Sequence, residues 1–353
     1  MNTHPLLAGL RNNPDFLLQD FDFVNRRALV VRVNEARYRE ASFLDDRIFK
    51  PNMEGYWFPL DAVAEILNDL TVPTPHYIFQ VGHCGSTLIS RLLAELPGNL
   101  AVREPITLLA LAIVRRKLGG PSANLNETEW KQLLDVTLRA LGRTYRPGDH
   151  AIIKATSTAG NLVETLAQTP ANMPQMLLVY ITLESLLATM LRSPDLRESI
   201  RAESPVWVGD FIRLTRREDM HLNDLNDAQQ IAVKWLTLML LFTRAASAFP
   251  AQTQLLNFDD FLKDPAVQLS TIAQHFRLKP SADQIATLVT GPLMHSYSKI
   301  PSQRFNPSQR EQELREARQQ FKDEIQSGLQ WVEILCREIP ALKAIAAHLS
   351  ADS

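Results

Sequence analysis

The chain has 353 residues, of which 45% are apolar and 22% charged, as in globular proteins with a sizeable core. Its 37 basic and 39 acidic side chains give a net charge of −2, so no overall charge attracts nucleic acid. Two cysteines exclude a disulfide framework and a four-cysteine zinc site. The amino terminus lacks a secretory-signal pattern, and the most apolar run, 235–242, is too short to span a bilayer. We therefore expect a cytoplasmic protein with neither nucleic acid nor a membrane as partner.

Residues 1–72 are predicted to form an N-terminal extension packed on the core. They contain one strand-like run, 27–33, and one stretch with helical spacing of apolar residues, 60–70. The prolines of the sequence VPTP at 72–75 then predict a loop between regular elements.

Four short apolar segments after this point have the composition of buried strands. They are 77–81, 151–154, 175–180 and 255–258, and helical patterns follow the first, third and fourth. In the last of these helices Asp264 is the expected N-cap and Pro265 the first helical residue. Buried strands that alternate with helices indicate βαβ units. We predict an α/β fold of three layers with a central, mostly parallel sheet and extra helices.

Helical patterns fill most of the remaining chain, at 127–141, 227–248 and 310–349. We predict a main domain over 73–310, with helical insertions near 112–150 and 195–250, and C-terminal helices over 311–353. Trp235 lies in a strongly apolar helical pattern and is expected in the core. The alternating charges of 310–318 predict a solvated helix face.

The loop between the first of the four strands and its helix, GHCGST at 82–87, has the character of an anion site. Gly82 and Gly85 let backbone N–H groups approach a ligand, and the N-terminus of the following helix favours negative charge. Ser86 and Thr87 add hydroxyl donors. No lysine precedes Ser86, so the nucleoside-triphosphate fingerprint GxxxxGK[ST] is not satisfied. A tight turn that binds no ligand is the simpler alternative.

Four segments of the chain, in order, carry a family resemblance. They are IFQVGHCGSTLISRLL around the loop, VREP ending at Pro105, IIKAT around Lys154, and LLNFDDFLKDPAVQLSTIAQHFRL from residue 255. These resemble, in turn, the 5′-phosphosulfate loop, the acidic motif, the "vdKtP" strand end and the "vryEdLvadP" segment of PAPS-dependent sulfotransferases. The motifs are most similar to those of the bacterial and tyrosylprotein-like members. The resemblance covers about residues 76–310 and implies a P-loop fold.

The resemblance also implies a reaction. An enzyme of this type transfers a sulfuryl group from PAPS to a hydroxyl or amine of a small-molecule or peptide acceptor, releases PAP and needs no metal. Glu104 would be the general base, and Lys154 would meet the sulfuryl group or the bridging oxygen. The alternatives are an exposed Glu104 paired with Arg103, and a Lys154 that ends its strand only to reach solvent.

The loop departs from the family pattern at two positions. His83 stands where members carry Arg or Lys, so it could act as an acid or base, be protonated by the bound dianion, or reflect a different ligand. Cys84 stands at the family's Ser position. A helix N-terminus would lower its pKa, but no partner for a thiol nucleophile is recognisable. A small side chain that fits the turn is the better interpretation of Cys84.

The residues expected to bind the 3′-phosphate also differ from the family pattern. The family's Ser aligns with Thr189, which keeps the hydroxyl, whereas the family's Arg aligns with Ile181. Arg192, one turn beyond Thr189, could restore the positive charge or be an ordinary solvated residue. Lys299, in the sequence SYSKIP, resembles the Lys of the mobile loop that covers the nucleotide, or else belongs to a plain polar loop.

These features leave three functions open. The first is a sulfotransferase in which the loop residues Gly82, Cys84, Gly85, Ser86 and Thr87 bind PAPS. The second is a kinase-like P-loop phosphotransferase, for which the missing loop lysine is the main objection. The third is a non-catalytic nucleotide-binding protein with a degenerate 3′-phosphate site.

Overall fold

The computed structural model describes residues 4–168, 173–298 and 306–350. Its strands are β1 (Phe16–Asp22), β2 (Arg27–Arg32), β3 (Gly55–Pro59), β4 (His76–Gln80), β5 (Asn99–Arg103), β6 (His150–Lys154), β7 (Met176–Tyr180) and β8 (Thr253–Asn257). Its α-helices are α1 (Pro5–Asn12), α2 (Glu35–Glu40), α3 (Leu60–Leu67), α4 (Ser86–Ala94), α5 (Ile106–Lys117), α6 (Glu127–Leu141), α7 (Val163–Ala167), α8 (Leu183–Leu191), α9 (Pro194–Thr215), α10 (Asp227–Ala248), α11 (Phe258–Lys263), α12 (Pro265–His275), α13 (Ala282–Thr290), α14 (Pro307–Gln320) and α15 (Lys322–Glu338).

The central sheet has five strands in the order β5-β6-β4-β7-β8, and every neighbouring pair is parallel. All five residues of β4 and of β7 are buried, because helices cover both faces of a parallel sheet. The predicted α/β fold is confirmed, and the four predicted strands are β4, β6, β7 and β8. Parallel pairing brings the carboxyl ends of the strands, and the loops that follow them, to one edge of the sheet.

Three strands were not predicted, and the long helix α9 was expected only as part of a helical insertion near 195–250. The edge strand β5 has the sequence NLAVR, in which a polar and a charged residue bound three apolar ones, and this is too short an apolar run to be recognised. The helix α9 contains Pro205, which normally interrupts a helix. The strands β1 and β3 flank the predicted β2 in an antiparallel sheet.

Arg103 attaches the N-terminal part of the chain to the central sheet. Its side chain is fully buried and donates hydrogen bonds to the backbone carbonyls of Tyr38, Arg39 and Ala41, at the end of α2. Leu44 N–H in turn donates to the Arg103 carbonyl at 2.7 Å. The segment after α2 is therefore fixed next to the carboxyl end of β5. The division of the chain at residues 72 and 310 stays a prediction.

The helix α10 is both long and apolar. By length and composition it could cross a membrane, but 72% of its most apolar stretch is buried within the molecule, as in the core helix of a folded domain. Trp235 is completely buried there, as predicted, and its indole N–H donates to the Ile181 carbonyl at 2.8 Å. The predicted cap of α12 is also confirmed, because the Asp264 side chain accepts from Val267 N–H.

Candidate functional site

The loop 82–87 leaves the carboxyl end of the central strand β4 and enters α4. Three of its residues have positive φ: Gly82 at 96°, His83 at 51° and Gly85 at 68°. The Gln80 side chain accepts a hydrogen bond from Gly82 N–H at 2.9 Å, which closes the first turn of the loop. A left-handed backbone is uncommon at a residue other than glycine and is frequent at functional sites.

Gly85 is required by packing as well as by its backbone conformation. A Cβ atom at this position would lie 2.0 Å from the Phe258 ring, at the start of α11. Any larger residue at position 85 would therefore displace the loop and the aromatic ring together. Ser86 and Thr87 follow in the first turn of α4, and both are buried.

Cys84 is buried beneath the loop. Its Sγ lies 3.4 Å from the Val179 carbonyl, and burial raises the pKa of the thiol. The expected lowering of the Cys84 pKa by the helix N-terminus was therefore wrong, because desolvation of the thiolate outweighs the nearby dipoles. Cys84 acts as a small packing residue.

Glu104 and Lys154 form an ion pair at the carboxyl ends of the strands, where the loop 82–87 also lies. Glu104 directly follows β5, and Lys154 is the last residue of the neighbouring strand β6. Lys154 Nζ donates a hydrogen bond to Glu104 Oε1. Their side chains are 14% and 1% exposed, respectively. Both simple alternatives were therefore wrong: Glu104 pairs with Lys154 rather than with Arg103, and Lys154 does not reach solvent.

Glu104 also has a strained backbone. Its φ is 51°, and its N–H donates to the Lys154 carbonyl at 2.7 Å. A left-handed conformation at a residue other than glycine costs about 1 kcal/mol or more and is frequent at functional sites.

A cavity of about 560 Å³ connects the loop with this ion pair. Its volume is in the range of small-molecule sites. The loop lines it from His83 to Thr87. Glu104, Lys154, the end of α8 and residues of α14 complete the lining.

Thr189 and Arg192 line the cavity from α8. Thr189 Oγ1 donates to the Ser185 carbonyl at 2.8 Å, and Arg192 forms an ion pair of 2.7 Å with Glu313 of α14. Ile181, at the position of the family's Arg, is completely buried and supplies no polar group.

Arg310 is a cavity residue that the sequence analysis missed. Its side chain is only 17% exposed and lies over the Phe258 ring, with Cζ 5.6 Å from the ring centroid. Its Nη2 is 2.8 Å from Asp259 Oδ1, yet neither atom has a well-directed hydrogen bond among the described residues. The prediction of a solvated face at 310–318 was thus wrong for Arg310, since α14 turns one side to the cavity. The i, i+4, i+7 spacing of Arg310, Leu314 and Ala317 could have indicated this side.

The segment after α2 adds two side chains near the ion pair. Lys154 Nζ lies 6.0 Å from the Phe43 ring centroid, and the Arg47 guanidinium lies 3.6 Å from the same centroid. A hydrogen bond with Asp45, with the charges of Asp45 and Glu104, raises the pKa of Arg47. No motif in the first 72 residues had indicated this contribution.

Two further predictions concern Lys299 and a metal ion. Lys299 lies outside the described residues. Within 4–168, 173–298 and 306–350, no group of three His, Cys, Asp or Glu side chains could hold a metal ion.

No protein-family model and no curated protein matches this chain. Among solved structures it is similar to the sulfotransferase domain from the curacin biosynthetic pathway, with a TM-score of 0.42 and 13% identity over 71% of this chain and 98% of that one. For the sulfotransferase domain from the Synechococcus PCC 7002 olefin synthase the TM-score is 0.39, with 12% identity over 72% and 96%. For retinol dehydratase in a complex with retinol and PAP it is 0.31, with 12% identity over 78% and 88%. These scores are low, and the α/β fold described above rests on the strand order of this chain itself.

Proposed function

We propose that this protein is a sulfotransferase that transfers a sulfuryl group from PAPS to a hydroxyl or amine of a small-molecule or peptide acceptor. The observation that carries the proposal is the cavity lined by both the Glu104–Lys154 pair and the loop at the N-terminus of α4, a position that favours a bound anion. A base, a buried cation and a phosphate cradle at one edge of a parallel sheet are the groups that sulfuryl transfer needs.

Each group has one task in the proposed reaction. The acceptor oxygen or nitrogen forms a bond to sulfur, while the bond from sulfur to the bridging oxygen breaks and its electron pair stays on the phosphate of PAP. Glu104 takes the acceptor proton. Lys154 offsets the negative charge that develops on the bridging oxygen, and the backbone N–H groups of the loop 82–87 hold the 5′-phosphate.

The 3′-phosphate would lie against α8 and α14. Thr189, Arg192 and Arg310 line the cavity there, and they offer a hydroxyl and two guanidinium groups in place of the Arg that Ile181 replaces. The incomplete hydrogen bonding of Arg310 supports this assignment, because its buried Nη2 has a close but poorly directed contact with Asp259 and a phosphate oxygen would satisfy it.

The conformation of Gly85 speaks against a kinase-like function. A P-loop kinase carries its phosphate-binding lysine immediately before the Ser or Thr that binds magnesium, which corresponds to position 85. The positive φ of Gly85 and the Phe258 ring leave no space for a side chain at that position. A phosphotransferase would need its cation from elsewhere.

Calorimetric titration of the protein with PAP, 5′-AMP and ATP, with and without magnesium, tests the proposal. We expect PAP to bind without magnesium and more tightly than 5′-AMP, because only PAP carries the 3′-phosphate. Sulfuryl transfer to an acceptor library with labelled PAPS should then proceed in EDTA. Tighter binding of ATP with magnesium would contradict the proposal in favour of the kinase-like alternative, and PAP binding without turnover on any acceptor would favour a non-catalytic protein.

A further inference from the structure

Lys234, on α10, places a buried ammonium group beside the loop. Its side chain is 7% exposed. A Cβ atom built on Gly82 would lie 3.9 Å from both Cε and Nζ of Lys234, so the amine lies where a side chain of the loop's first residue would point. Lysine is rarely buried unless it is paired.

Two residues of α9 hold this ammonium in place. Lys234 Nζ donates to Glu203 Oε2 at 2.8 Å, and Trp207 Nε1 donates to the same oxygen at 3.1 Å. The Nζ atom also lies 5.4 Å from the Trp207 ring centroid. Burial alone would raise the pKa of Glu203, but the Lys234 charge and the hydrogen bonds from Lys234, Trp207 and Ser199 lower it below its ordinary value. The carboxylate is thus ionised and keeps the ammonium in a fixed position.

The loop itself lacks a permanent positive charge. Residues 82–87 contain no lysine or arginine, so they offer a phosphate only amides, hydroxyls and the His83 ring. Lys154, which ends β6, is paired with Glu104 and is assigned above to the bridging oxygen. An ammonium a few ångströms away in a partly buried site changes the affinity for a dianion by an order of magnitude.

We propose that Lys234 supplies the positive charge that the loop 82–87 lacks, and that it stabilises the 5′-phosphate of the bound nucleotide. The identity of that nucleotide rests on the proposed function, whereas the role of Lys234 applies to any 5′-phosphate on this loop. The competing explanation is a structural ion pair that only joins α9 to α10.

The test compares Lys234→Met with Glu203→Gln, which removes the other half of the same ion pair. Lys131→Met, which breaks an exposed ion pair on α6, is the matched control for the loss of a lysine. The probes are 5′-AMP, PAP and adenosine 3′-monophosphate, measured by calorimetric titration, with the thermal midpoint recorded for each variant.

We expect Lys234→Met to weaken 5′-AMP and PAP about ten- to hundredfold, as for the loss of a charge-assisted phosphate contact, and to leave adenosine 3′-monophosphate unchanged. Glu203→Gln should retain the affinity for 5′-AMP, because the amide oxygen can still accept a hydrogen bond from Lys234 and the ammonium beside the loop remains. Lys131→Met should bind all three probes like the wild type.

Three results would overturn the proposal. One is an unchanged affinity of Lys234→Met for 5′-AMP, and another is an equal loss for all three probes, which indicates general distortion. The third is that Lys234→Met and Glu203→Gln lose 5′-AMP affinity to the same extent as each other and also lose thermal stability to the same extent. This result is expected if the ion pair is purely structural. If the wild type binds 5′-AMP but not PAP, the PAPS assignment fails while the Lys234 test proceeds with 5′-AMP; if it binds neither, both proposals fail.

Discussion

Glu104 and Lys154 illustrate how single residues acquire a role only through their neighbours. They are 50 positions apart in the chain, and they meet because β5 and β6 pair in parallel and end at the same level. Lys154 is almost completely buried, and a buried ammonium without its carboxylate would be strongly destabilised. The pair therefore serves both the stability of the fold and the proposed proton transfer.

Replacing Glu104 by Gln tests the proposed proton transfer apart from nucleotide binding. We expect turnover to fall about 10²- to 10⁴-fold, the usual contribution of a general base, while the affinity for PAP is retained. Stopped assays with saturating PAPS give the turnover, and calorimetric titration gives the affinity. A variant that loses PAP binding to the same extent as turnover would show that Glu104 shapes the nucleotide site instead of acting as the base.

Replacing Arg310 by Ala tests the proposed 3′-phosphate contact. PAP should bind about ten- to hundredfold more weakly, since one charge-assisted contact is lost, whereas 5′-AMP should bind as before. Arg315→Ala on the same helix is the control, because Arg315 is exposed. If PAP and 5′-AMP weaken equally in Arg310→Ala, the side chain does not read the 3′-phosphate.

At the scale of elements, the segment between α2 and β3 contributes side chains to the candidate site, although no motif in its sequence predicted this. Arg103 fixes its backbone to β5, and Arg91 donates to Glu40 O at 3.1 Å and to Ser298 O at 3.0 Å. Phe43 and Arg47 are thereby placed next to the Glu104–Lys154 pair. We expect an acceptor that reaches Glu104 to pass along this segment.

Replacing Arg103 by Met should detach this segment. The backbone carbonyls of Tyr38, Arg39 and Ala41 would lose their donors inside the protein, so we expect the free energy of unfolding to fall by about 3 kcal/mol. Denaturant titration measures the loss. Arg39→Met, which breaks only an exposed i, i+4 pair, should change stability by less than about 0.5 kcal/mol. Equal stability of the two variants would contradict the assigned role of Arg103.

At the scale of the whole molecule, the two ends of the central sheet differ in chemistry. The carboxyl ends of the strands carry the candidate site, whereas the amino ends carry a buried histidine cluster. His76 at the start of β4 stacks on His150 at the start of β6, with ring centroids 4.9 Å apart, and on Phe276 at 5.9 Å. Burial, together with the charges of His150, Arg277 and His275, lowers the pKa of His76 to about 3.

This cluster makes stability depend on pH. In the unfolded chain His76 takes up a proton near pH 6.5, but in the folded protein it stays neutral down to about pH 3. The unfolded state therefore binds more protons in this window, and the free energy of unfolding should fall by up to about 1.4 kcal/mol per pH unit for this group as the pH drops from 6.5 toward 3. Denaturant titrations at several pH values should show a shallower slope for His76→Asn. An identical slope would assign the acid sensitivity to other groups.

The sequence alone determined the fold class and the position of the loop. Apolar strands that alternate with amphipathic helices pack in few ways other than as a parallel sheet covered on both faces. The glycines of the loop 82–87 mark the turn between β4 and α4. These are local properties, because hydrophobic period, caps and turn residues act over a few neighbouring positions. For the same reason the N-cap of α12 and the buried position of Trp235 were predicted correctly.

Only the tertiary structure decided how the site is composed. The pairing of Glu104 with Lys154, the turn of Arg310 into the cavity, the burial that raises the pKa of Cys84, and the approach of Lys234 to Gly82 all join residues from different elements. Each depends on which strands are neighbours and which helix face is covered. These relations are set by the packing of the whole core, and no short stretch of sequence contains them.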